Sequence, residues 1–170
     1  MNKNRLLFVL TLIVVAAAAR LLPHPVNFAP IAAMALFGGA CLPDRRLAYA
    51  APLLAMLLTD LVLGLHATMA FVYLGFVITV AIGGLIRQRL RPVNIALAAL
   101  SASVIFFALT NFGVWLLSGL YSHDLTGLLA CYTAAIPFLQ NSLAGDLFYS
   151  AVLFGGLALA DRHLLTGYSA

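Results

Sequence analysis

The chain has no glutamate, one lysine and one tryptophan, and only 8% of its 170 residues are charged. A soluble domain of this length needs a charged surface, so the shortage removes that class and leaves an integral membrane protein. Regular alternation of apolar and polar residues is missing as well. That excludes a closed β-barrel and leaves helices, the other structure able to cross a bilayer with every backbone group satisfied. The chain also lacks a Walker-type phosphate loop, a His-Glu-x-x-His and a Gly-x-Ser-x-Gly. ATP hydrolysis, zinc proteolysis and esterase chemistry therefore have no residues to carry them. Cys41 and Cys131 have no metal-ligand spacing and fall at opposite ends of the expected bundle. A disulfide, which needs Cα atoms within ~7 Å, is not expected between them.

What is present is hydrophobic: 64% of the residues, gathered in apolar runs over 6–22, 28–42, 47–65, 67–86, 93–117 and 138–160. At ~20 residues per crossing these runs leave only short loops. The expectation is one all-α integral membrane domain over residues 1–170, a six-transmembrane-helix bundle. The first run follows Lys3 and Arg5 and passes through Ala16 to Ala19, a pattern shared with secretory signals. It is read as an uncleaved span because the apolar stretch continues past Arg20 to Leu22. Pro23 and Pro25 then form a stiff turn. Leu125 to Ile136 is apolar but too short to cross, so a separate short helix is expected on the outer side between spans five and six. Pro137 suits the first turn of the sixth span.

Charge is sorted by side. Lys3, Arg5, Arg45, Arg46, Arg87, Arg89, Arg91 and Arg162 all fall at one end of the expected bundle. By the positive-inside rule that end is cytoplasmic, and an even number of spans puts both termini there. The formal charge of +4 is thus a topology signal near anionic lipid and not a nucleic-acid surface. The polar residues in or at the ends of apolar segments gather toward the other end: Arg20, His24, Asn27, Asp60, His66, Asn111, Asn141 and Asp146. Ionisable groups in a bilayer are costly and usually functional, which points to a polar pocket open to the outside.

In that pocket Arg20 and His24 would meet ligand anions or balance Asp60 and Asp146, and Asn27 would stand on the rigid first turn. Asn111 and Asn141 would supply hydrogen bonds, and Trp115 would stack on a ring. No catalytic residue, metal ligand or cofactor is expected. Each feature has a plainer alternative. Arg20 with Asp60 or Asp146 makes a structural pair, and Trp115 suits an interfacial aromatic belt. Ser142, Asp146 and Tyr149 share a helix face and can serve as polar glue between helices. A membrane protein without any ligand, or a membrane enzyme using Cys131, are the competing functional readings.

The stretches 20–39 (RLLPHPVNFAPIAAMALFGG), 110–115 (TNFGVW) and 129–138 (LACYTAAIPF) running to 141–146 (NSLAGD) carry a resemblance. In them the chain resembles a functionally uncharacterised family of small bacterial membrane proteins of transport type. That family is similar in turn to the substrate-binding S-components of energy-coupling factor transporters. The resemblance implies a multi-pass protein of the bacterial inner membrane that captures a vitamin or related micronutrient at its outer face. It also implies a transmembrane coupling protein and ATPase subunits as partners, although some relatives of that fold work alone. One of those is a cobalamin transporter whose Cys contacts the cobalt, which invites comparison with Cys131.

Overall fold

Helix starts and stops follow local chemistry in the chain. Asp44 and Asp124 cap two helices, their carboxylates accepting from the Leu47 N–H at 3.0 Å and the Gly127 N–H at 2.7 Å. Pro92 opens another helix, where its missing N–H costs nothing. Gly64, at φ 105°, ends the helix that Asp44 opens. A computed structural model describes residues 3–23 and 25–162. Among these it contains α1 (Lys3–Ala19), α2 (Ile31–Cys41), α3 (Arg45–Leu63), α4 (Met69–Ile86), α5 (Pro92–Leu117) and α6 (Leu125–Ala160), and no strand. Helices α3 to α6 are long and apolar enough to cross a membrane. Val62, Leu85 and Leu120 are among many large apolar side chains exposed on the outer surface. The chain reads as an α-helical membrane protein.

Two expectations are corrected. The second apolar run, 28–42, is helical only over Ile31–Cys41, which is about 16 Å at helical rise and too short to cross a core of ~30 Å. Prolines explain the late start: Pro23, Pro25 and Pro30 hold the chain in turns until residue 31. Helix α2 lies in the middle of the bundle, with every residue from Ala33 to Leu42 buried, and packs on all five other helices, chiefly α4. A helix hydrophobic on every side belongs in such a place.

The separate outer helix expected over 125–136 does not form; it runs straight into the expected sixth span as the 36-residue α6. Pro137 sits inside that helix and is exposed. Contacts N-terminal to the proline hold this part of α6 on α5, with the Tyr132 hydroxyl donating to Ala108 O at 2.5 Å and Cys131 Sγ lying 3.5 Å from Asn111 O. At about 54 Å, α6 is far longer than a membrane core is thick.

Close packing of α2 against α4 depends on two glycines. A Cβ on Gly39 would run into the Val80 carbonyl, and one on Gly83 into the Leu36 carbonyl. Arg87 finishes α2 from the next layer: its guanidinium donates to Leu42 O at 2.6 Å and to Gly39 O and Pro43 O at 3.1 Å. A cation at a helix C-terminus answers both the open carbonyls and the helix dipole. Arg5 on α1 meets Asp161 just past α6 at 2.9 Å. These contacts bring the start of α1, the end of α2, the end of α4 and the end of α6 together as the basic end of the bundle.

Candidate functional site

At the opposite end, non-helical chain over residues 20–23 and 25–30 lies between α1 and α2. Irregular backbone at membrane depth is tolerated only where it is buried in protein or lines a cavity. Here three contacts hold it. Asn141 on α6 donates from Nδ2 to Val26 O at 2.9 Å. The Phe28 ring packs on Phe148 and Tyr149, with centroids 5.9 and 5.6 Å away, and its backbone closes over Gly145. Arg20 reaches to α3, where Nη1 meets Asp60 Oδ1 at 2.6 Å and Thr59 Oγ1 at 2.7 Å. Asn27 takes the left-handed conformation at φ 59°, which asparagine tolerates better than most residues.

This linker walls a cavity of about 280 Å³ that reaches down between α2, α4, α5 and α6. Arg20, Asn27, Asn111 and Asp146 line it together, joined by His66, Ser103 and Ser142. Phe76, Phe106 and Phe107 supply its apolar wall, with the first two rings 5.0 Å apart. Ile31 and Ala32 bring the N-terminal turn of α2 to its edge.

The two intramembrane carboxylates differ sharply. Asp60 is 1% exposed and satisfied on both oxygens, Oδ1 by Arg20 and Oδ2 by the Tyr73 hydroxyl at 2.8 Å. It lies one contact behind the cavity. Asp146 is 6% exposed and, among the described residues, accepts only from the Ser103 hydroxyl at 2.5 Å. Among the described residues no cation pairs with it, because Arg20 is held by Asp60. A carboxylate this buried is costly unless something compensates its charge.

The remaining candidates stand elsewhere. Trp115 lies away from the cavity: its Nε1 donates to Ser122 O at 2.9 Å and its ring packs on Phe112 and His123, fastening the α5–α6 turn. Asn141 anchors the linker and does not line the cavity. His24 lies outside the described residues. The Cys131 thiol points to a backbone carbonyl of α5, and both cysteines are free. No group of three or more His, Cys, Asp or Glu side chains able to hold a metal occurs among the described residues.

Ser103 and Tyr73 were not foreseen. Ser103, Phe107, Thr110 and Asn111 recur at helical spacing on one face of α5, a signal present in the sequence. Tyr73 carries none, since a tyrosine in an apolar helix ordinarily reads as an interfacial residue. A larger opening of about 630 Å³ exists at the basic end, lined by Arg45, Tyr49, Arg87 and Gln88. It contains no buried carboxylate, and the Arg87 fork is already committed to the end of α2.

The chain belongs to DUF6580, a family of unknown function whose sequence profile matches residues 1–167. No curated protein and no solved structure matches it.

Proposed function

We propose that this member of DUF6580 binds a small organic molecule, a vitamin or related micronutrient, and serves its uptake across the bacterial inner membrane in the manner of an energy-coupling factor S-component. The observation that carries this reading is the cavity itself. It gathers Arg20, Asn27, Asn111 and Asp146 where irregular backbone meets a buried half-helix. Discontinuous helices whose ends face a central cavity are how many membrane transporters build a binding site. At about 280 Å³ the space suits a small metabolite, near the lower end of ligand pockets of ~300–1,000 Å³.

In this reading Asp146 and Asn111 hold the ligand directly and Asn27 closes over it from the linker. The Arg20–Asp60 pair sets the linker's position. The basic end faces the cytoplasm by the positive-inside rule. The coupling protein and ATPase subunits implied by the resemblance would supply the energy, since nothing in the chain hydrolyses ATP.

Asp146→Ala and Asn111→Ala should each lower uptake of the transported compound in cells while the protein remains in the membrane at wild-type amount. Wild-type uptake in both variants would sink the pocket. A second reading, a structural membrane protein without ligand, is favoured by the Arg20–Asp60–Tyr73 cluster, which is complete with no ligand present. It predicts that no small molecule raises the thermal stability of the purified protein and that both alanine variants melt earlier.

A further inference from the structure

We infer that the cavity takes a zwitterion: a small ligand with an anionic group at one end, a cationic amine at the other and an apolar or ring body between. This rests on the binding reading above and adds the charge pattern of the ligand.

The anion-seeking pole is formed by two elements. Helix α2 starts at Ile31 with Pro30 as its cap residue, and no side chain caps it. The Met34 N–H bonds to Pro30 O, but the N–H groups of Ile31, Ala32 and Ala33 have no acceptor among the described residues. These are the orphan donors of a helix N-terminus, where the dipole favours negative charge. Arg20 stands beside the same cavity. Its bonds all run through Nη1, to Asp60, Thr59 and the Met56 sulfur, so Nε–H and the Nη2 hydrogens stay available.

The cation-seeking pole is Asp146, lining the cavity with Ser103 as its one hydrogen-bond partner among the described residues. Ser150, one turn further along α6, is 1% exposed and its hydroxyl has no partner among the described residues. It borders a packing void, too small for water, that also touches Asp146, Ala32 and Ala33. Asp146 on α6 and the first turn of α2 thus line one cavity, with the Phe76 and Phe106 rings as its apolar wall.

Each simpler ligand leaves one pole unanswered. A plain anion drawn to α2 and Arg20 would enter beside the Asp146 carboxylate and be repelled. A plain amine would meet Asp146 but also the positive end of α2. A neutral ligand leaves a buried carboxylate without its cation. Discrimination here comes as much from these penalties as from attraction.

The test is a thermal-shift titration of the full-length protein in detergent at neutral pH. One matched set is 4-(aminomethyl)benzoate, 4-methylbenzoate and 4-methylbenzylamine. A wider panel holds amino acids and betaines beside monocarboxylates, amines and neutral compounds of the same size. Stabilisation is expected from zwitterions only, and Asp146→Asn should weaken the best zwitterion at least tenfold while narrowing its advantage over the matched carboxylate. Stabilisation by carboxylates, amines or neutral compounds alone, as strong as by any zwitterion, overturns this inference but leaves ligand binding standing. No stabilisation by any compound overturns the binding reading itself. If Asp146→Asn fails to accumulate, the wild-type panel alone still decides between these outcomes.

Discussion

Arg20, just beyond the end of α1, pairs with Asp60 on α3 at 2.6 Å, and in doing so leaves Asp146 on α6 without a cation among the described residues. One arginine and two buried carboxylates allow two pairings. The choice turns on Tyr73 and Thr59, which complete the hydrogen bonds around the Arg20–Asp60 pair. One aspartate is thereby ion-paired, and the other lines the cavity with no ion pair among the described residues.

The pair itself can be tested by stability. Removing one partner of a buried ion pair typically costs about 3–5 kcal/mol, because the other charge is left uncompensated. Asp60→Asn should lower the melting temperature in detergent strongly, whereas the double variant Arg20→Met with Asp60→Leu should recover much of the loss. A double variant as unstable as the single one would show that the pair is not an isolated unit.

Gly39 and Gly83 predict a graded packing effect. Alanine at either position puts a methyl group into a backbone carbonyl of the facing helix, and over-packing of this kind costs about 1–3 kcal/mol. Gly155 and Gly156 on α6 have nothing within 4 Å of an added Cβ. Alanine there should be neutral or slightly stabilising, as expected for a helix interior. Melting curves of the four variants check this, and equal losses at all four would contradict the tight α2–α4 contact.

The Asp124 cap predicts a pH effect. The Gly127 N–H and, after it, the Ser122 hydroxyl hold the Asp124 carboxyl below its ordinary value of 3.8. A depressed acid contributes stability that is present above its unfolded value and lost as pH falls through the folded one. The wild type should therefore keep the α5–α6 turn protected at pH 5, and its advantage over Asp124→Ala should shrink only below about pH 4, near the ordinary carboxylate range. Hydrogen exchange over residues 118–128 at pH 5 and pH 3 measures this, after correction for the intrinsic exchange rate. An advantage unchanged at pH 3 would remove the carboxylate from the cap.

Trp115 predicts a separation of stability from binding. Its indole N–H holds Ser122 O, away from the cavity, and a net hydrogen bond of this type contributes about 0.5–1.5 kcal/mol. Trp115→Phe should lower the melting temperature by a small amount and leave the stabilisation by any bound compound unchanged. A loss of that stabilisation would return Trp115 to the binding site.

Much of the helical framework was legible residue by residue. Apolar runs marked where helices lie, and the structure shows Asp44, Pro92, Gly64 and Asp124 setting ends that the runs alone left open. Each of those signals is local, acting within a turn or two of the chain. Pro137 misled for the same reason. Local rules read it as a helix start, while the contacts of Tyr132 and Cys131 with α5 carry α6 through it. The prolines before Ile31 likewise shortened a run that hydrophobicity alone extends to 28–42.

Composition and hydropathy were sufficient to establish a helical membrane protein with its basic residues sorted from its buried polar ones, because both depend only on which residue stands where along the chain. Which carboxylate Arg20 would take, that Ser103 would face Asp146 across 43 positions, and that Trp115 would turn to Ser122 were decided only when helix faces came together. Pairing energies depend on separations of a few ångströms between distant segments, and no period or spacing in the chain encodes them.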